Sequence, residues 1–178
     1  MTSLAKKLLI KSHWPLQYTS SFQDIPSRPA ASLLLQVPVR QPYSEPHDVV
    51  ACFSPLFLNE RWQLLLLTAE VYSYYGAAMH FYVRSMITDL FSILSRYPNA
   101  RVNPWPAVQL GSKRANSLSF DPNLELEFRN QAAAMTDCLL LYKESAKFII
   151  FPDTDDIIIP RLGRTYLEEF QKVSTNHM

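Results

Sequence analysis

Short apolar runs and longer segments whose apolar residues fall three and four apart take turns along the chain from Asp48 to Val173. "DVVACFS" (48–54) is of strand length, β-branched and apolar, and predicts a buried strand. "NERWQLLLLTAEVYSYYG" (59–76) then places Trp62, Leu65, Leu66, Ala69 and Tyr72 at helical spacing. Asn59 or Glu60 opens that helix and Gly76 supplies its stop. "AMHFYVRS" predicts a second strand, and "TDLFSILSRYP" a second helix ended by Pro98. "ARVNPWPAVQL" reads as a short strand running into a loop, and "GSKRANSLSFDPN" as a polar, mobile connection. "LEFRNQAAAMTDCLLLYKES" (126–145), rich in good helix formers, predicts a third helix. "AKFIIF" is a further strand, and "RTYLEEFQKV" closes the chain as a last helix. Strand and helix alternate at roughly thirty-residue intervals, the mark of βαβ units and a mainly parallel sheet. Trp62 and the cluster Tyr72, Tyr74, Tyr75, Phe81 and Tyr82 read as core, because aromatic bulk at apolar positions usually packs.

Residues 1–46 have another texture, with Pro15, Pro26, Pro29, Pro38, Pro42 and Pro46 among Ser and Gln. They read as a lead-in or stem, in which "SLLLQVPVR" is a candidate edge strand. Composition then removes whole classes of function. A 178-residue chain that is 48% hydrophobic can bury one real core. A net charge of +1 with scattered Lys and Arg excludes a polyanion-binding surface, so no nucleic-acid partner is expected. Cys52 and Cys138 are too few for a disulfide scaffold and lack metal-ligand spacing. They are read as two buried thiols, with a single bridge in a lumenal protein as the alternative. No stretch reaches the roughly 20 apolar residues of a membrane-spanning helix, and the start lacks a signal-peptide pattern.

The chemistry concentrates in "KFIIFPDTDDIIIP" (147–160). Asp153, Asp155 and Asp156 follow directly on an inner strand, where ligands of parallel sheets bind. Carboxylates at the edge of a core cost several kcal/mol unless positive charge meets them. A hard cation, Mg²⁺ or Mn²⁺, takes oxygen ligands and commonly shares them with substrate phosphates. An EF-hand loop needs glycine at its sixth position, where Ile158 stands. A haloacid-dehalogenase-like phosphatase also uses Asp-x-Asp at a strand end, its first Asp as nucleophile. That motif opens its domain, whereas here only 22 residues follow Asp156. A nucleotide-sugar transferase, whose Asp-x-Asp comes after several βα units, fits the order of elements.

Taken together, Cys52, Pro55 and Leu56, then Trp62, Tyr82, Asp137 with Cys138, Asp153, Asp155 and Asp156, and Pro160 resemble the ordered motifs of glycosyltransferase family 92. The likeness is to nematode members in particular and covers about residues 48 to 173. It implies an α/β, GT-A-like (Rossmann-like) sheet flanked by helices, with residues 47–178 as the N-terminal, donor-binding part of that domain. It implies transfer of a hexose, galactose from UDP-galactose first, to a glycan acceptor with Mn²⁺ or Mg²⁺. Family members are type II membrane proteins of the secretory pathway, such as the Golgi. The chain is therefore expected to lack an upstream anchor and the later half that carries the acceptor base, so no catalytic residue is assigned. The competing functions are a binding-only paralogue and, third, the phosphatase.

Asp153 and Asp155 are the expected metal ligands, with Asp153 also near the nucleotide and Asp156 either behind them or capping the turn. Asn130 and Asp137, seven apart, are expected on one helix face beside Ala133 and Ala134. "FRNQAAAMTDC" resembles the Arg-Asn pair that many GT-A enzymes hold near the donor, and Arg129 suits a bidentate diphosphate contact. An ordinary helix surface is the alternative for Arg129 and Asn130, while Asp137 leans to function. Pro55, with Leu56 and Phe57, is a candidate wall for the base, and His80 reads as structural.

Overall fold

The computed structural model of the chain describes residues 10–11, 40–57, 61–107, 122–124 and 126–175. The strands are β1 (Ile10–Lys11), β2 (His47–Cys52), β3 (Ala77–Val83), β4 (Ala100–Pro104) and β5 (Ala146–Ile150). They form one sheet in the order β1-β5-β2-β3-β4, parallel throughout except for β1, which pairs antiparallel with Ile149 and Phe148 of β5. The helices are α1 (Trp62–Tyr74), α2 (Thr88–Leu94), α3 (Gln131–Tyr142) and α4 (Tyr166–Thr175). This is the α/β, GT-A-like layering expected of the sequence.

Alternation along each strand sends side chains to two separate cores. Val49, Ala51 and Phe53 join Met79, Phe81, Phe148 and Ile150 under α1, α2 and α4. Val50, Cys52, Tyr82 and Ile149 pack on the other face against Ala134, Cys138 and Leu141 of α3. The chain steps outward from β2 to β3 to β4 through α1 and α2. It then turns back past β2 to β5 through α3. Right-handed crossovers require the helix to change face when the direction of travel reverses. The first core is aromatic: Phe53 stacks on Phe81 at 4.6 Å and meets Tyr72 edge-on at 5.1 Å.

Several expectations are corrected. Cys52 and Cys138 are not two thiols but a disulfide, with Cα atoms 6.1 Å apart. Cys52 ends β2 facing α3, and Cys138 lies on the buried stripe of α3, so packing brings the sulfurs together across 86 residues of sequence. The third helix starts at Gln131 rather than at Leu126. Phe128, Arg129 and Asn130 are left-handed, with φ of 45°, 59° and 68°, and no right-handed helix can run through them. The indole N–H of Trp105 donates to the Arg129 carbonyl at 3.2 Å and pins this break. Trp62 is 49% exposed, because the buried stripe of α1 runs from Leu65 through Thr68 and Ala69 to Tyr72 and leaves the first turn outside. Tyr74 is exposed as well.

The lead-in is not all spacer. Tyr43 donates its amide to Leu141 at 2.9 Å and its ring packs on Tyr142, while β1 edges the sheet. The candidate strand "SLLLQVPVR", apart from Arg40, and residues 111–121 of the polar connection lie outside the described residues. Among the described residues no helix is long and apolar enough to cross a membrane.

Candidate functional site

β2 and β5 are neighbours, yet the chain leaves β2 in one direction and reaches β5 from the other. The loops beyond their carboxyl ends nevertheless both lead to helices on the same face, α1 and α4, and run side by side at the strand-end edge where ligands of parallel sheets bind. Ser54, just past β2, and Asp153, just past β5, meet there. The Ser54 hydroxyl donates to Asp153 Oδ1. Gln131, the first residue of α3, donates its side-chain amide to Ser54 Oγ at 2.6 Å and to Asp153 Oδ1 at 3.3 Å.

The acidic turn is anchored through its backbone. The Asp156 amide donates to the Asp153 carbonyl at 3.0 Å, and the Asp153 amide to Asp156 Oδ2 at 3.2 Å. Asp156 thus closes the turn with its own carboxylate. Buried hydroxyls hold the carbonyls from behind: Thr68 donates to Thr154 at 2.6 Å, Tyr72 to Asp156 at 2.7 Å and Tyr166 to Ile158 at 2.6 Å. Burial raises the phenol pKa values of Tyr72 and Tyr166 far above the usual range, so both remain donors. Removing the Tyr72 hydroxyl with Tyr72→Phe leaves a carbonyl short of its partner. A loss of about 1–3 kcal/mol is expected, read from urea unfolding.

Asp155 is exposed and its carboxylate has no hydrogen bond or ion pair among the described residues. Asp153 Oδ2 receives no hydrogen bond among the described residues. Among the described residues no group of three or more His, Cys, Asp or Glu is gathered as a ready-made cage. The open oxygens of Asp153 and Asp155 are hard donors of the kind Mg²⁺ or Mn²⁺ takes, with water and phosphate oxygens completing its shell.

A cleft of ≈ 220 Å³ is lined by Arg84, Trp105, Asn123, Arg129 and Asn130. It is smaller than the roughly 300–1,000 Å³ of a full ligand pocket. Arg84 follows β3 and Trp105 follows β4, the same carboxyl edge. Neither arginine has an acidic partner among the described residues, and the Arg129 guanidinium sits over the Phe57 ring at 5.1 Å. Asn130 lines the cleft and its neighbour Gln131 reaches Asp153, so consecutive residues link the two features.

Of the expected residues, Arg129, Asn130, Asp153 and Asp155 thus share the strand-end edge. Two are engaged or covered in this structure. Asp137 lies six residues down α3, about 9 Å along the axis. It accepts from Tyr82 Oη at 2.6 Å and pairs with Arg40, so its carboxylate is engaged in packing α3 on the sheet. With Asn130 outside the helix, the expected polar face shared with Asp137 does not form. Pro55 is buried, and the exposed aromatic at its strand end is Phe57. Ser54, Arg84 and Trp105 were legible only as strand-end positions, a signal that applies to each strand as it does to Asp153, and Gln131 was hidden inside the helix read from Leu126.

The family model "Glycosyltransferase family 92" matches residues 47–178. The Caenorhabditis elegans protein "Glycosyltransferase family 92 protein F59C6.8" is 65% identical over 136 residues, covering 76% of this chain and 26% of its own length. A second protein of that organism, "Glycosyltransferase family 92 protein F13G3.3", is 44% identical over 144 residues, covering 79% of this chain and 28% of its own length. The chain thus spans about a quarter of the length of these relatives. No solved structure matches it significantly.

Proposed function

Because the chain belongs to glycosyltransferase family 92, we propose that it forms the donor-binding part of an enzyme that moves a hexose from a nucleotide sugar to a glycan. The donor proposed is UDP-galactose. One observation carries this reading: Asn130 lines the two-arginine cleft and the next residue, Gln131, bonds Asp153 of the acidic turn. Asp153 and Asp155 would hold Mn²⁺ or Mg²⁺. Such a cation, when bound, neutralises the diphosphate and the charge it gains on leaving.

The chain's own residues orient the donor. Arg84 and Arg129 offer planar donor pairs to phosphate oxygens, which guanidinium matches bidentately. The Trp105 indole in the same cleft gives a flat apolar face against which a base can lie. The buried hydroxyls of Thr68 and Tyr72 fix the backbone of the acidic turn. A lumenal place in the secretory pathway, such as the Golgi, agrees with the Cys52–Cys138 bridge, since disulfides persist in oxidising compartments.

Calorimetric titration of UDP into the purified chain is expected to show binding that requires Mn²⁺. Asp155→Asn is expected to weaken it by about tenfold or more. Equal affinity with and without metal, or no UDP binding at all, overturns the reading. Hexose transfer to a glycan by the same chain then separates a transferase from a binding-only paralogue.

A further inference from the structure

We propose that Ser54 and Gln131 are positioning residues that present Asp153 to a divalent cation through a single oxygen; this rests on the donor-site reading above. The hydrogen bonds have a direction. Gln131 Nε2 donates to Ser54 Oγ, whose only proton is then given to Asp153 Oδ1, and the amide also reaches Oδ1 itself at 3.3 Å. Both donors converge on Oδ1, and Oδ2 receives no hydrogen bond among the described residues. The carboxylate is held in one rotamer with one oxygen open.

The choice of neutral donors matters. An arginine or lysine in either place would orient Asp153 equally well but cancel its charge and repel a cation. A hydroxyl and an amide orient it while leaving the full negative charge for the metal, as hydrogen-bonded partners of metal-binding carboxylates do. The support beneath them is stiff. Phe53 donates its amide to His80 at 3.0 Å and Leu56 to Tyr82 at 2.8 Å, fixing Ser54 between them. The Cys52–Cys138 bridge ties the end of β2 to α3, the helix that begins with Gln131. Three separate chain segments are locked around one carboxylate at the strand ends.

The test measures Mn²⁺ binding by electron paramagnetic resonance and Mn²⁺-dependent UDP affinity by calorimetry for Ser54→Ala and Gln131→Ala. Each variant is expected to lose about tenfold in both, with a thermal unfolding midpoint near that of the parent chain. Ser54→Thr, which keeps the hydroxyl, is expected to restore binding. In an Asp153→Asn background neither alanine substitution should weaken binding further, because its effect passes through that carboxylate. A parent chain that binds UDP with Mn²⁺, while both alanine variants bind as well as it does, overturns this inference alone. So does the same tenfold loss persisting in Asp153→Asn. A parent chain that binds no UDP brings down the donor-site reading and this inference together. If Ser54→Ala does not fold, Gln131→Ala decides, being a half-buried first-turn position.

Discussion

Cys138→Ser is expected to cost about 4–5 kcal/mol of unfolding free energy, because the bridge closes a loop of 86 residues in the unfolded chain. The loop spans β3, β4 and most of α3, so its closure removes a large share of the freedom of the unfolded state. The two cysteines are also completely buried between β2 and α3, so each serine leaves a hydroxyl in an apolar layer. A loss of this size is comparable with the whole stability of many domains. Cys52→Ser is expected to match it, and the double variant to lose little more than either single one, since one bond is broken in all three. Urea melts of the four chains check this. Four nearly coincident curves would falsify a structural role for the bridge.

Acid is expected to remove about 3 kcal/mol through His80 alone. This histidine is fully buried on β3 and bonded on both sides. Asn103 lies 2.8 Å from Nε2, and Tyr142 Oη 3.0 Å from Nδ1. With Asn103 donating to Nε2, the proton of the neutral ring sits on Nδ1 and points at Tyr142. Burial pushes the pKa down to about 4, against the opposing pull of Asp137, while Arg101 and Arg40 add to the depression. The unfolded ring titrates near 6.5. Between these values the unfolded chain binds a proton that the folded chain refuses, so stability rises with pH across that window. It is complete above about pH 6.5 and falls as pH drops towards about 4. Chemical unfolding measured between pH 7.5 and 4.5 tests it. His80→Gln, which cannot take up the proton, should show a flatter profile; an equal slope in both chains points to another group.

The elements themselves were readable because their causes are local. Apolar runs bounded by polar residues mark β2, β3 and β5, and three-four spacing marks α1 and α4. Asp153 stood out because a carboxylate directly after an inner strand is visible without any knowledge of neighbours. The start of α3 was misread for the same reason. Helix-forming alanines argue for extension back through Arg129, and only the bond from Trp105, far away in sequence, goes with the left-handed break. Asp137 was placed on a helix face shared with Asn130, and that face does not form because Asn130 falls outside the helix.

Periodicity and residue type thus determined that this chain is a parallel α/β layer with an acidic turn at a strand end. Strand order decided the rest. Setting β5 beside β2 brings Ser54 to Asp153, carries α3 across to the opposite face, and lays Cys138 over Cys52. Those pairings are bonds between residues about ninety positions apart, which hydrophobic patterning, a record of each segment's own two faces, does not contain.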